Sequence, residues 1–227
     1  MSPFKTLFLS TILASGLAAS GAASATVLFQ NLPDTGNQGG DCRYNTTCGP
    51  VAFGDTYSGY GAQKFTLTQA ATATSAGFNS VVADGVFASG VNWLILAANG
   101  TGGLPGSTLF SGTNTAVTNA VGPVGINYPT TDYSFGFAPA SLAAGSYYLA
   151  VQAITTNRND FLSSGVADSG AAQSGDGGAS WALGYGELSF PSVAMSLMGT
   201  FDNNVPEPSS LALLLVGLGA IYRRKTV

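Results

Sequence analysis

Apolar and polar residues alternate through the middle of the chain, and this alternation predicts β-strands. In Gln63–Thr68, Phe65 and Leu67 share one face and polar side chains occupy the other, as expected for a strand with one buried face. Val91–Ala97 is the most apolar of these segments and is predicted to be a central strand, while Ser146–Ile154 has the clearest strand pattern. The other segments with a strand pattern are Thr26–Leu32, Gly77–Val82, Gly85–Phe87, Thr108–Phe110, Ala116–Val117, Val124–Ile126, Tyr133–Phe137, Trp181–Tyr185 and Val193–Met198.

The number and spacing of these segments predict an all-β fold, because short strands separated by turns build sandwiches and barrels. No helix is predicted inside the body, and no strand is predicted in the polar, glycine-rich residues 156–180. Glycine accounts for 31 of 227 residues and charged residues for 8%, against about 25% charged residues in typical domains. Hydrophobic residues reach 45%, which favours a folded core over disorder. We therefore expect a single β-sandwich.

The end of the chain has a different pattern, a nearly continuous apolar run from Leu211 to Tyr222. Pro206 and Pro208 precede it and hold their segment extended. A helix of this length covers about 18 Å, less than the ~30 Å hydrocarbon core of a bilayer. An ordinary single-span anchor is one alternative, and a buried core helix is disfavoured because the run is apolar on all faces. The cations that follow should stay on the cytoplasmic side; they are Arg223, Arg224 and Lys225.

This combination resembles the PEP-CTERM sorting signal of Gram-negative bacteria. The family's tripeptide matches Pro206, Glu207 and Pro208, and the short apolar helix and terminal basic cluster follow in the same order. The resemblance implies recognition and cleavage near the tripeptide by an exosortase, a membrane transpeptidase-like enzyme. It also implies a transient inner-membrane intermediate, followed by delivery to the cell surface or the extracellular polysaccharide matrix.

The start of the chain has the pattern of a secretory signal peptide. Lys5 supplies a basic region, Leu7–Ala19 an apolar region, and Ala23-Ser24-Ala25 a small-residue cleavage site. The sequence therefore predicts three parts. They are a signal peptide over residues 1–25, a β-sandwich domain over 26–204, and a sorting segment over 205–227.

Three segments of the body resemble the jelly-roll-like domains of secreted bacterial surface proteins that carry interchangeable C-terminal anchors. The segments are Ala62–Thr66, Leu104–Gly106 and Leu142–Tyr148. The resemblance implies a jelly-roll-like sandwich, and it does not imply a reaction.

The charges of the body argue against a nucleic-acid partner. Residues 26–204 hold ten carboxylates but only three cations, Arg43, Lys64 and Arg158. Three scattered cations cannot form a phosphate-binding stripe.

Cys42 and Cys48 are the two cysteines of the chain. Because both lie in the exported part, the default prediction is a disulfide. A zinc site is disfavoured because the chain has no histidine, and the spacing differs from the C-x-x-C of redox motifs.

The absence of histidine also removes the usual arrangements for activating a serine or cysteine nucleophile. A glycosidase would need two carboxylates about 5–10 Å apart. Glu187 is the only glutamate of the body and its aspartates are scattered, so we expect a protein that is not an enzyme and needs no cofactor.

Two loops hold carboxylates that calcium could use, although aspartate is also an ordinary turn residue. The calcium candidates are Asp34, Asp41, Asp168 and Asp176. Aromatic residues beside glycine-rich segments could stack on sugars, or could simply pack against the core. They are Tyr57, Tyr60, Tyr128, Tyr133, Trp181 and Tyr185.

The functional expectation is an exported, structural or adhesive β-sandwich. The first alternative is a carbohydrate-binding module for extracellular polysaccharide, and the second is a glycoside hydrolase with paired carboxylates. Exposed aromatic residues along one groove would favour the first alternative, and two facing carboxylates in a cleft would favour the second.

Overall fold

The computed structural model describes residues 25–34, 59–82, 88–121, 130–154, 160–167, 169–184 and 191–202. These residues form strands, turns and a single 3-10 turn at Thr101–Gly103. The strands are β1 (Thr26–Asn31), β2 (Tyr60–Leu67), β3 (Ala71–Val82), β4 (Gly90–Ala97), β5 (Thr108–Asn114), β6 (Thr118–Val121), β7 (Thr130–Leu142), β8 (Gly145–Ile154), β9 (Asp160–Leu162), β10 (Ala171–Ser174), β11 (Ala182–Leu183) and β12 (Met195–Phe201).

The strands form two antiparallel sheets of six strands each. The first sheet has the order β1-β12-β3-β7-β6, with β9 also pairing with β3. The second sheet has the order β11-β10-β2-β8-β4-β5. The all-β prediction with a sandwich-like body is therefore confirmed at the level of two antiparallel sheets.

Two neighbouring strands pass from one sheet to the other at the same place, which we call the corner (residues 68–70 and 143–144). On one side of it β2 pairs with β8 up to Leu67 opposite Gly145, and on the other side β3 pairs with β7 from Ala71 opposite Leu142. The hydrogen-bonded ribbon is thus nearly continuous through the bend. The Tyr147 hydroxyl donates to the Ala143 carbonyl (2.9 Å) and so ties the bend to β8.

The core lies between the inner faces of the two sheets. Phe65 and Trp93 of the second sheet and Phe78 and Phe135 of the first belong to one cluster of buried side chains. Trp93 lies close to the Phe135 ring, with 6.4 Å between the ring centroids. The alternation that predicted strands therefore corresponds to the side chains that join the sheets.

The prediction of Val91–Ala97 as a central strand is confirmed, because it lies within β4, which has a partner strand on each side. The prediction for another segment needs correction. Residues 156–180, where no strand was predicted, contain β9 and β10. Both are short strands of three and four residues, too short for an alternation to be visible in the sequence.

Other predictions fall where the structure describes nothing. Gly85–Phe87 and Val124–Ile126 lie outside the described residues, as do the signal peptide through residue 24 and the sorting segment 205–227. Within the described part of the chain, no helix has the length and apolar character needed to cross a membrane.

A candidate ligand-binding face on the second sheet

The outer face of the second sheet carries a hydrophobic cluster separate from the core. Its buried members are Ala62, Leu96, Tyr148, Ala150 and Ala172. Three alanines align across neighbouring strands, Ala172 opposite Ala62 and Ala62 opposite Ala150. Because side chains alternate along a strand, these positions point away from the core that Phe65 and Leu149 help to form. We call this group the outer-face cluster.

The loop between β4 and β5 covers one part of the outer-face cluster. Leu104 packs against it, and the Tyr148 hydroxyl donates to the Gly103 carbonyl (3.1 Å). The Lys64 ammonium lies 6.0 Å from the centre of the Tyr148 ring, at the outer limit of a cation–π contact. Burial raises the pKa of Tyr148.

The loop between β10 and β11 covers another part and presents two aromatic rings. Trp181 and Tyr60 both pack against the outer-face cluster, and their ring centroids are 6.5 Å apart with a 50° tilt. The Trp181 indole N–H donates to the Gly178 carbonyl (3.1 Å), which fixes the ring on its own loop. Both residues remain partly exposed. We call Tyr60 and Trp181 the aromatic pair.

Asp176 organises the same loop. Its carboxylate accepts hydrogen bonds from the Ser180 hydroxyl (2.6 Å), the Ser180 backbone N–H (2.9 Å) and the Ser174 hydroxyl (2.8 Å). These bonds, those from Ser180 first, lower the pKa of Asp176 from 3.8 to about 2. The aspartate therefore holds the loop that carries Trp181.

A polar row crosses the outer face beside the aromatic pair. The Thr113 hydroxyl donates to the Asn92 side chain (2.7 Å), and the Asn92 amide donates to Oε1 of Gln152 (2.9 Å). Gln152 is only 5% exposed. It follows Val151, which lies opposite Gly61, so Gln152 is at the position next to Tyr60 on the neighbouring strand. Burial raises the pKa of Tyr60.

The structure brings together two of the aromatic residues predicted as sugar-stacking candidates, Tyr60 and Trp181. Tyr133, in contrast, is a core residue that is 2% exposed and stacks on Phe78 at 4.9 Å between centroids. Tyr133 therefore packs in the core, which was the predicted alternative to stacking on sugars. The other three candidates lie outside the described residues; they are Tyr57, Tyr128 and Tyr185.

The structure describes two of the calcium candidates, Asp34 and Asp176. The Asp34 backbone N–H donates to the Ser164 carbonyl (2.9 Å), and the Asp176 carboxylate holds its own loop. Within the described residues no group of three or more acidic, cysteine or histidine side chains could hold a metal ion. Asp41 and Asp168 lie outside the described residues, as do Cys42 and Cys48, so calcium and the disulfide stay predictions.

Sequence reasoning did not identify Lys64, Tyr148 or Gln152 as parts of this face. A signal for it was present in the sequence of β8, where the residues from Tyr147 to Ala153 are apolar on both faces apart from Gln152; all of them are buried in the structure. A strand that is apolar on both faces indicates that something covers each face of its sheet. Which loop covers the second face is decided by tertiary contacts.

Comparison with known proteins identifies the end of the chain. The PEP-CTERM protein-sorting motif matches residues 204–225. No curated protein and no solved structure matches the chain significantly. The motif indicates an exported protein that an exosortase sorts through the membrane towards the cell surface, and it does not extend to the two sheets.

Proposed function

We propose, starting from the sorting motif at residues 204–225, that the body is a non-enzymatic structural or adhesive domain displayed at the cell surface. The observation that carries the proposal is the direct attachment of this motif to a folded sandwich that ends with β12 at Phe201. The interior of that sandwich is filled by apolar side chains from both sheets. Such a body supplies surface for contact with the matrix or a neighbouring cell.

The carboxylates with known contacts support a non-enzymatic role, because they hold the fold. Asp132 accepts a hydrogen bond from the Asn79 amide (2.7 Å), and Asp202 accepts one from the Thr72 hydroxyl (3.2 Å). Asp176 is bound by Ser174 and Ser180 as described above. Glu187, the only glutamate of the body, lies outside the described residues.

The adhesive proposal is tested by complementing host cells that lack the protein. One strain receives the full chain, and the other receives the chain with Pro206→Ala and Pro208→Ala. We expect the full chain to restore cohesion of the surface matrix and the double variant to fail, because the body no longer reaches its destination. Suppose that the full chain is detected at the cell surface and that these cells are no more cohesive than cells that lack the protein. This result would exclude a structural or adhesive role.

A second candidate function is carbohydrate binding, and the aromatic pair favours it. Partly exposed rings held in place by the protein can stack on sugar rings at little entropic cost. The neighbouring amides of Asn92 and Gln152 belong to the residue types that bind sugar hydroxyls. The body carries ten carboxylates and three cations, so a neutral polysaccharide suits it better than an anionic one.

Co-sedimentation of the purified mature protein with the host's extracellular polysaccharide tests this second candidate. We expect Trp181→Ala and Tyr60→Ala to weaken binding by about tenfold or more, the equivalent of ~1.4 kcal/mol. Leu183→Ala is a matched control, since Leu183 is 67% exposed on the adjacent strand β11. Binding that survives both aromatic variants would exclude this face, and loss of binding with a chelator would assign a role to calcium.

A further inference from the structure

The last strand of the body is held on both sides. β12 lies between β1 and β3; it pairs with β3 from Met195 to Phe201 and with β1 from Met195 to Gly199. Met195 and Leu197 of this strand are 1% and 0% exposed in the core. Detaching β12 would break two ladders of hydrogen bonds and expose both apolar side chains to water, which is unfavourable. The strand therefore stays in place once the body has folded.

The attachment continues one residue beyond the strand, to Asp202. Its backbone N–H donates to the Ala70 carbonyl (2.9 Å), and its carboxylate accepts a hydrogen bond from the Thr72 hydroxyl (3.2 Å). Ala70 belongs to the corner, where the chain passes from β2 to β3. The body therefore ends beside the corner.

The sorting motif begins immediately after this point. It matches from residue 204, and Pro206 is the fourth residue after Asp202. Four residues span at most about 14 Å even when fully extended, at 3.3–3.6 Å per residue. An enzyme that cuts near Pro206-Glu207-Pro208 must therefore work within this distance of the end of the folded body.

The surface at this end permits a close approach. Thr26, the first residue of β1, pairs with Gly199, so β1 also begins at this end of the first sheet. The aromatic pair is elsewhere, since Tyr60 is at the end of β2 away from the corner. The corner itself presents four exposed, uncharged residues, three of them small; they are Thr68, Gln69, Ala143 and Ala144.

We propose that the corner is a contact surface for the sorting enzyme. The enzyme meets the folded body at residues 68–70 and 143–144, and the short connection after Asp202 fixes which end of the sandwich faces it. This orientation leaves the Tyr60 end of the second sheet directed away from the enzyme. The proposal does not depend on what the body binds after delivery.

The test measures the processing rate of the full chain in the native host by pulse–chase. The variant Gln69→Tyr with Ala144→Tyr adds neutral bulk at the corner, and we expect processing to slow several-fold. Val166→Tyr with Leu183→Tyr is the matched control, because both residues are exposed and lie on segments outside the corner. This control should be processed at the rate of the unmodified chain.

An insertion separates a contact effect from a folding effect. About eight glycine and serine residues placed between Asn203 and Asn204 add up to roughly 26–29 Å of reach. In the corner variant, this insertion should restore the processing rate, because the enzyme no longer has to approach the body. Processing of the corner variant at the unmodified rate would overturn the proposal, and so would slow processing that the insertion does not restore.

Discussion

Gly112 of β5 provides the space that Trp93 occupies. A Cβ atom at Gly112 would lie 2.8 Å from Cζ2 of the Trp93 ring. The ring stacks on Phe137 of β7 with 4.4 Å between centroids, and its N–H donates to the Asn114 side chain (2.9 Å). The Asn114 amide in turn donates to the Gly136 carbonyl of β7. The absence of a side chain at Gly112 thus leaves room for Trp93, whose ring connects the second sheet to β7 of the first sheet.

We predict that Gly112→Ala destabilises the protein by about 1–3 kcal/mol, because the added methyl group forces Trp93 out of its packing. The measurement is urea unfolding followed by tryptophan fluorescence. Ser111→Ala is the control, since Ser111 is exposed on the same strand and such changes usually stay within about 0.5 kcal/mol. Equal stability of the two variants would show that the Trp93 contact has no such role.

The Asp176 carboxylate gives the β10–β11 loop a pH dependence at the acidic end. Its pKa is about 2 in the folded protein, below the ordinary 3.8, because Ser180 and Ser174 donate hydrogen bonds to the ionised form. A carboxyl group whose pKa is lower in the folded than in the unfolded protein stabilises the folded loop at pH values above the unfolded pKa. This stabilisation is lost as the pH falls through the folded pKa. The loop should therefore keep its structure well below neutral pH.

We predict that the fluorescence of Trp181 stays constant from pH 7 to about pH 4 and changes as the pH falls towards 2. The Trp93→Phe background removes the other tryptophan from the signal. In that background Asp176→Ala should abolish the acid transition. A transition that persists unchanged in the alanine variant would mean that another group titrates.

At the scale of elements, buried polar side chains join strands to the irregular segments beside them. Gln63 of β2 is 2% exposed. Its Oε1 accepts a hydrogen bond from the Val193 N–H (2.9 Å), and its Nε2 donates to the Ser169 carbonyl (3.1 Å). Asn31 of β1 does the same, donating to the Val193 carbonyl and accepting from the Ala167 N–H. These two side chains thus provide hydrogen-bond partners for backbone groups in irregular segments, where pairing between strands leaves some of those groups without a backbone partner.

We predict that Gln63→Leu costs about 1–3 kcal/mol, because the buried Val193 N–H loses its acceptor and the Ser169 carbonyl loses its donor. Thermal unfolding checks the loss of stability, and hydrogen exchange should show faster exchange at Val193. Gln30→Leu is the control, since Gln30 is exposed on β1. Unchanged exchange at Val193 in Gln63→Leu would contradict the assigned role.

At the scale of the whole molecule, the two sheets lie between a predicted signal peptide and the sorting motif. The sorting motif follows β12, and the predicted signal-peptide cleavage after Ala25 comes directly before β1. Processing at both ends would release a chain that starts with the first strand and stops shortly after the last. The mature protein would then consist of the sandwich and the loops between its strands.

We predict that the protein recovered from the native envelope lacks residues 1–25 and ends near Pro206-Glu207-Pro208. Mass spectrometry of the intact protein and of its terminal peptides provides the measurement. In the Pro206→Ala and Pro208→Ala variant, the C-terminal segment should be retained. Recovery of only intact protein ending at Val227 would contradict processing.

The sequence by itself determined the fold class and the destination. Phe65 and Leu67 alternate with polar residues, and this pattern depends only on neighbours in the chain, so β-strands could be predicted from it. The sorting motif is likewise a contiguous segment, so it could be identified from neighbouring residues alone. For the same reason, β9 and β10 were missed, since their pairing partners are distant in the sequence and their own residues are few.

The tertiary structure alone decided which strands are neighbours and what lies on the outer face. Tyr60 and Trp181 are 121 residues apart and meet only because β10 pairs with β2. Tyr133 was a candidate for sugar stacking like Tyr60, yet it faces the core. The direction of an aromatic side chain depends on the sheet and loop that receive it, and those are set by long-range pairing that no single segment encodes.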